Sequence, residues 1–299
     1  MTNSNKQVFD IAKKHGLHLQ MDSIKRNESG LDFQVIFAID LDGERWVLRL
    51  PRRADVIPTA QKEKKILDVV GPKLTIQTPD WRIFSEQLIA YKLLTGIPTG
   101  TIDPEAKAYK WEIDEKNIPT LFHKSLAKSL VELHSIQHEE AQQAGLSVKT
   151  PVKLRNSMLE RMEWVKSTYG VSQKLWNRWQ KWLGNDSLWP QKTAFIHGDL
   201  HAGHILIKQK DASVTGLIDW TEAQVSDPAN DFTAHLATFG ETALKELIHF
   251  YKEAGGYVWP TMFEHTSELL AAYPIGIAEF AAKSGLLEYE EIAKTTLGV

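Results

Sequence analysis

Apolar positions change their period several times along the chain. Val8, Ile11 and Ala12 recur at helical spacing until Gly16 stops the pattern, which predicts a short, mostly polar helix. From Phe33 the period shortens. The stretch FQVIFAIDLDGERWVLRLP reads as two strands rich in β-branched and aromatic residues, joined at the Asp-Gly of LDGE. A hairpin is therefore predicted from Phe33 to Leu50, with Pro51 ending its second strand. TAQKEKKILDVV returns to helical spacing through Ala60, Ile66, Leu67 and Val70. The apolar and aromatic WRIFSEQLIAYKLLTGIPTG then runs into a Gly/Pro-rich stretch, Gly96 to Gly100, the best candidate for a boundary between lobes.

From about Pro119 the pattern is mostly helical. LFHKSLAKSLVELHSI sets Leu126, Leu130 and Leu133 on one stripe, and the segments near Trp176 and Leu244 behave alike. The interruption is β-like: TAFIHGDLHAGHILIK, then VTGLIDW. The fold class expected is α+β with two lobes, a strand-rich N-terminal lobe over 1–95 and a helical C-terminal lobe over 96–299 that carries a short β insert. A length of 299 residues suits that division.

Composition narrows the function. A net charge of -3 argues against a general nucleic-acid binder, which gathers a basic surplus on one face. The chain has no cysteine, which removes disulfides, thiolate zinc sites and cysteine nucleophiles. Its first residues show neither a signal peptide nor a membrane span, so a cytoplasmic protein without a membrane partner is expected.

The chemistry gathers in FIHGDLHAGHIL, where His197, Asp199, His201 and His204 fall close together. A His or Asp at a strand end is often a turn former or a satisfied core group. The cluster as a whole is harder to dismiss. Asp199 and Asp219 each follow an apolar β-like run, so adjacent strands would deliver both carboxylates to one end and make a divalent-cation site. One reading is hydrolytic zinc held by the three histidines, although their spacing matches no helix-borne zinc motif. The other is phosphoryl transfer. Kinases set a metal-holding side chain five positions beyond the Asp that takes the hydroxyl proton, and a further metal-binding Asp after another strand. Asp199, His204 and Asp219 have that spacing, and no Walker A sequence occurs.

HGDLHAGHIL followed by GLIDW resembles the paired signature of the aminoglycoside-phosphotransferase-like kinases, which share the protein-kinase fold. NESGLDFQV, ERWVLRLPRR, IDWTEAQVSDPANDF and AAYPIGIAEFA resemble the macrolide 2'-phosphotransferases in particular, over most of the chain. The resemblance implies that Asp199 is the catalytic base and that Asp219 and His204 hold the metal. Most relatives carry Asn at the position of His204, an oxygen ligand suited to Mg²⁺, whereas imidazole suits softer ions and so implies tolerance of Mn²⁺. His197 is read as structural, with its ring on loop backbone.

By the same resemblance Ser29 and Gly30 lie in the phosphate-covering loop, and Arg49 replaces the phosphate-binding Lys with Glu63 as its ion-pair partner. Arg52 and Arg53 are read as solvated. Ala90, Tyr91, Lys92 and Leu93 form the hinge that meets the purine of GTP or ATP. A macrolide acceptor implies an apolar pocket with an acid or two. Tyr257, Trp259, Met262 and Phe263 are apolar candidates, and Tyr273, Ile275 and Phe280 are taken as substrate-binding, with Pro274 breaking a helix beside them. Asp231 is expected to brace the catalytic loop, with contact to the acceptor ammonium as its second reading. A monomer is expected. The competing functions are an aminoglycoside kinase, a small-metabolite kinase and an inactive nucleotide-binding module.

Overall fold

The computed structural model describes residues 4–28, 30, 32–103 and 108–299. Helix α1 (Asn5–Lys14) starts at a capping box, in which Ser4 and Gln7 each accept the other's backbone N–H. It covers the outer face of a five-stranded antiparallel sheet built from β1 (Lys25–Asn27), β2 (Phe33–Ile39), β3 (Arg45–Pro51), β4 (Trp81–Phe84) and β5 (Ile89–Lys92), in the order β1-β2-β3-β5-β4. Side chains alternate across each strand. Ile36, Ala38, Leu48 and Leu50 therefore pack with Val8 and Ala12 of α1, while Phe33 and Val47 join the main core with helix α2 (Ile57–Val70). The predicted hairpin is β2 and β3, with Gly43 at φ 87° in its turn. Strand β1 escapes the sequence reading because its three residues alternate without apolar character.

The chain leaves the sheet through Gly96 and adds β6 (Ile97–Pro98) to a three-stranded sheet with β10 (Ile205–Ile207) and β11 (Val214–Leu217), in the order β11-β10-β6. Between β6 and the helices stands a hairpin of β7 (Gly100–Asp103) and β8 (Ala108–Trp111), and β9 (Ala194–Ile196) pairs with β12 (Gln224–Ser226). The helices are α3 (Thr120–His134), α4 (His138–Gln143), α5 (Pro151–Thr168), α6 (Gln173–Leu183), α7 (Asn230–Glu253), α8 (Met262–Ala271), α9 (Tyr273–Ser284) and α10 (Leu287–Leu297). Helix α7 kinks at Gly240 (φ 79°, ψ -176°). Pro274 is the second residue of α9, and the helical run breaks just before it, at Ala272 between α8 and α9. Among the described residues no helix is long and apolar enough to cross a membrane.

Two links tie the β-rich lobe to the catalytic insert. Lys62 Nζ of α2 donates to the Thr221 carbonyl at 2.9 Å. Gln77 pairs with β11, its N–H donating to Thr215 O and its carbonyl accepting from Leu217. Gly96 lies beside that second link at φ 105°, where an added Cβ would stand 2.3 Å from Thr215 Oγ1 and 2.9 Å from Ile207 O.

Gly96→Ala is expected to lower Tm by several degrees, because the left-handed backbone alone costs about 1–2 kcal/mol and the clash adds to it. Gly276→Ala, within α9 and with open space around the new Cβ, is expected to raise Tm slightly by helix propensity. Scanning calorimetry of the two variants checks the opposite signs.

Candidate active site

The catalytic loop begins where β9 ends. Gly198 takes φ 86°, and a Cβ there would lie 2.7 Å from Glu222 O, so the turn into Asp199 needs glycine. The loop's shape is set from behind by Asp231, the second residue of α7. It is only 1% exposed, and it accepts the N–H of His197 at 2.9 Å, the N–H of Gly198 at 2.8 Å and the His134 ring N–H at 3.1 Å. Burial raises its carboxyl, but His134, His197 and the Gly198 N–H outweigh that and hold it below the ordinary carboxylate range. The acceptor-binding reading of Asp231 is thereby corrected: its oxygens are committed inside the protein. Asp227 is also buried, accepting His265 Nε2–H at 2.7 Å, while His265 Nδ1 accepts the indole N–H of Trp182.

Strands β9 and β11 lie in different sheets, so the expectation that adjacent paired strands deliver Asp199 and Asp219 does not hold. Histidines make the connection. His197 is fully buried and donates Nε2–H to the Ile218 carbonyl at 3.0 Å, fixing the residue before Asp219. Burial pushes its pKa down. His204 closes a 3-10 turn over 202–204 and directs Nδ1–H to the Asp199 carbonyl at 2.8 Å. In the neutral ring its Nε2 therefore keeps a lone pair, 3.6 Å from Asp219 Oδ2. Asp219 sits at φ 63°, with Thr221 Oγ1–H donating to its Oδ1 at 2.9 Å. Burial raises its carboxyl while His204, Thr221 and Arg49 lower it, and the lowering prevails.

This donor set fits a divalent cation. Two ligand atoms about 2.1 Å from one ion at right angles stand about 3 Å apart, so His204 Nε2 and Asp219 Oδ2 need to close by only about half an ångström. Asp199, His201 and His204 also bring ligand atoms within 4.8 Å of one another. His201, however, accepts the Gly203 N–H at Nδ1, which leaves the proton of its neutral ring on Nε2 and no lone pair there for an ion. We read His201 as a hydrogen-bond donor to the cleft, its ring centroid 3.8 Å from that of His204.

Opposite stands Arg49 of β3. Its Nη1 donates to both oxygens of Glu63 at 2.9 Å, and its guanidinium lies over the rings of Phe33 at 4.5 Å and Trp81 at 5.4 Å. The rings fix its plane. Burial opposes the charge of Arg49, but Glu63 more than compensates and raises its pKa; burial raises the Glu63 carboxyl against the pull of Arg49. Tyr91 is buried beside this pair, its hydroxyl pushed up to about 12 by burial.

Of the phosphate-covering residues, Ser29 lies outside the described residues. Gly30 O accepts Arg52 Nε–H at 2.9 Å, and a Cβ on Gly30 would fall 2.7 Å from Phe33 O. Arg52 also bonds Glu28 through its carbonyl and carboxylate, so it tethers this loop and is not the solvated side chain expected. Arg53 is half exposed, paired with Asp32 and Asp55. In the hinge stretch Ala90 and Tyr91 have strand neighbours on both sides, Leu48 and Ile83, Val47 and Trp81. Main chain open to a purine edge therefore starts at Lys92 and Leu93, and the Leu93 N–H is already given to Arg45 O.

The acceptor candidates divide. Tyr273 is 64% exposed, Ile275 is 1% exposed in the core and so lines no open pocket, and Phe280 is half-buried and edge-on to Tyr289, ring centroids 4.6 Å apart. Trp259 and Met262 are core as well. What the sequence reading missed is the hairpin β7–β8. Tyr109 stacks on Trp111 at 4.6 Å and Trp111 meets Phe239 at 5.3 Å. Burial, then Asp199 and Tyr273, raise the Tyr109 hydroxyl. The signal was present as the alternation of aromatics in AYKW.

Asp231→Asn puts an amide NH₂ against a backbone N–H and is expected to cost about 2–4 kcal/mol near neutral pH. Because the folded carboxyl lies below its unfolded value of about 3.9, its contribution is complete above that value and is lost as pH falls through the folded one. Urea midpoints of the two proteins should thus converge below about pH 4. A gap independent of pH would remove the charge of Asp231 from the account.

Residues 23–265 match the phosphotransferase enzyme family, APH. The whole chain is 43% identical to the uncharacterized protein YcbJ of Bacillus subtilis (strain 168), covering 99% of it. Among solved structures, the macrolide 2'-phosphotransferase MphH apoenzyme from Brachybacterium faecium is similar at a TM-score of 0.90 and 34% identity, over 97% of each chain. A macrolide 2'-phosphotransferase type I is similar at 0.89 and 38% identity, over 99% of each chain. The fold is protein-kinase-like, with a β-sheet N-terminal region and a helical C-terminal region. An aspartate on a braced loop, a second one beyond a histidine and a caged Arg–Glu pair stand within that frame, and the chain belongs to the phosphotransferase enzyme family as a kinase-type enzyme.

Proposed function

We propose that this enzyme transfers the γ-phosphate of GTP or ATP to the 2'-hydroxyl of a macrolide's amino sugar and so inactivates the antibiotic. The observation that carries this reading is the full-length likeness, at 34% and 38% identity, to two macrolide 2'-phosphotransferases. The aromatic run of Tyr109, Trp111 and Phe239 supports it from the site, because it offers a large apolar body a wall on the hairpin that packs against the 202–204 turn. A polycationic aminoglycoside asks for a pocket crowded with carboxylates, and this wall is not one.

Asp199 holds the acceptor hydroxyl in line and takes its proton as the new O–P bond forms and the bond from the γ-phosphorus to the β-phosphate oxygen breaks. A largely dissociative transition state asks for little deprotonation beforehand, so orientation is its main task. Arg49 gives only Nη1 to Glu63 and turns its remaining N–H groups to phosphate oxygens. The Gly30 loop, tethered by Arg52, covers them. His204 and Asp219 would hold Mg²⁺ or Mn²⁺, which would supply charge neutralisation at the triphosphate. Lys92 and Leu93 meet the purine through main chain. We place the reaction in the cytoplasm, where the donor nucleotides are, with the enzyme acting as a monomer.

Purified enzyme with GTP or ATP and either erythromycin or kanamycin, scored by mass, is expected to add one phosphate to erythromycin and none to kanamycin. The reverse would move the acceptor to aminoglycosides. Asp199→Asn should lose at least about 10²-fold in kcat with nucleotide affinity unchanged. Mn²⁺ should sustain turnover in the wild type, and His204→Asn should shift the Mn²⁺/Mg²⁺ rate ratio toward Mg²⁺. An enzyme dead in Mn²⁺ would count against imidazole ligation.

A further inference from the structure

Behind the catalytic loop runs a chain of buried polar groups that the transfer chemistry does not use. His134, the last residue of α3, is buried, with Nε2 3.1 Å from Asp231 Oδ2 and Nδ1 2.7 Å from the Tyr251 hydroxyl. A carboxylate oxygen can only accept, so the proton of the neutral ring sits on Nε2. Nδ1 is then bare and receives the Tyr251 O–H. Every donor points one way. The run goes from Tyr251 through His134 to Asp231, whose oxygens collect the N–H groups of the two residues that precede Asp199.

We propose that His134, acting through Asp231, is a positioning residue for Asp199, and that Tyr251 fixes the tautomer in which it does so. The proposal rests on the reading of Asp199 as the group that orients the acceptor hydroxyl. Asp231 Oδ2 takes both the His197 N–H and the His134 ring N–H, while Oδ1 takes the Gly198 N–H alone. Without the ring N–H the carboxylate is free to turn about its last bond, and the hydrogen bonds that set the loop turn with it. Packing is separable from this polar role. The Tyr251 ring meets His134 edge-on at 5.4 Å and Phe232 at 5.1 Å, and it lies where a Cβ on Gly256 would come within 2.3 Å. Tyr251→Phe keeps all of those ring contacts and removes one hydroxyl.

Tyr251→Phe, His134→Phe, His134→Gln and Asp199→Asn are compared with wild type for kcat and KM with GTP and erythromycin. ¹⁵N-histidine NMR reads the His134 tautomer, and hydrogen exchange reads the His197 and Gly198 amides. The expected result is a kcat lowered about tenfold in Tyr251→Phe and about 10²-fold in His134→Phe, the scale of a misplaced reacting group. KM for GTP should stay within about twofold, because the relay touches no nucleotide-binding group. His134→Gln should recover part of the loss through its amide N–H. Wild-type His134 should carry its proton on Nε2, and both amides should exchange faster in His134→Phe than in wild type.

A wild-type ring protonated on Nδ1 alone, or exchange at those amides unchanged in His134→Phe, overturns the proposal. So does a Tyr251→Phe enzyme with wild-type kcat beside an inactive Asp199→Asn. If Asp199→Asn keeps full turnover, the assignment of Asp199 fails instead. If erythromycin is not phosphorylated, the tautomer and the amide exchange still decide.

Discussion

The carboxylate of Asp231 is withdrawn from water and surrounded by N–H groups, and the catalytic loop has its shape because two of those groups are its own. Stripping a carboxylate of water costs several kcal/mol, so the arrangement persists only while every acceptor site is filled. Two of the donors come from His197 and Gly198 and one from His134, which joins β9, α3 and α7 at one point. Asp199 follows directly, and the His204 ring N–H on its carbonyl holds it from the other side. The same carboxylate explains why its own side chain is unavailable to an acceptor.

The second constraint lies between the lobes. Glu63 is buried on α2 and holds Arg49, and Lys62 beside it on the same helix donates to the Thr221 carbonyl. A helix of the β-rich lobe is thus bonded to the segment that carries Asp219. Moving α2 therefore moves the arginine and the aspartate loop together. An arginine suits this geometry, since one nitrogen serves the glutamate and the rest of a planar fork remains for the phosphate of the proposed donor.

Much of this was legible in the residues. The β2–β3 hairpin, α2 and the helical C-terminal region follow from period and turn chemistry, because each has a buried face that writes itself into the sequence. The spacing of Asp199, His204 and Asp219 pointed to phosphoryl transfer before any fold was known. Three things were hidden for physical reasons. Strand partners are set by tertiary packing, so the two apolar runs leading to the aspartates looked like neighbours although they lie in different sheets. Burial of Ile275 depends on which neighbouring helix covers it, and one helix's pattern says nothing of that. The roles of Arg52, His134 and Tyr109 are long-range hydrogen bonds and ring contacts, which leave no periodic trace.

Asp219 holds a backbone conformation that few residues with a side chain adopt, at φ 63°. Aspartate and asparagine tolerate it better than most residues, because a short polar side chain can bond locally. Thr221 supplies such a bond here. On the proposed reading alanine at this position removes a cation ligand and that support at once, so its kinetic defect would sum ligation with a reshaped turn. Asparagine keeps the turn while dropping the charge, and glycine frees the turn while dropping the ligand. The left-handed residue thereby makes position 219 one where the choice of substitution, more than the size of the effect, decides what an experiment has measured.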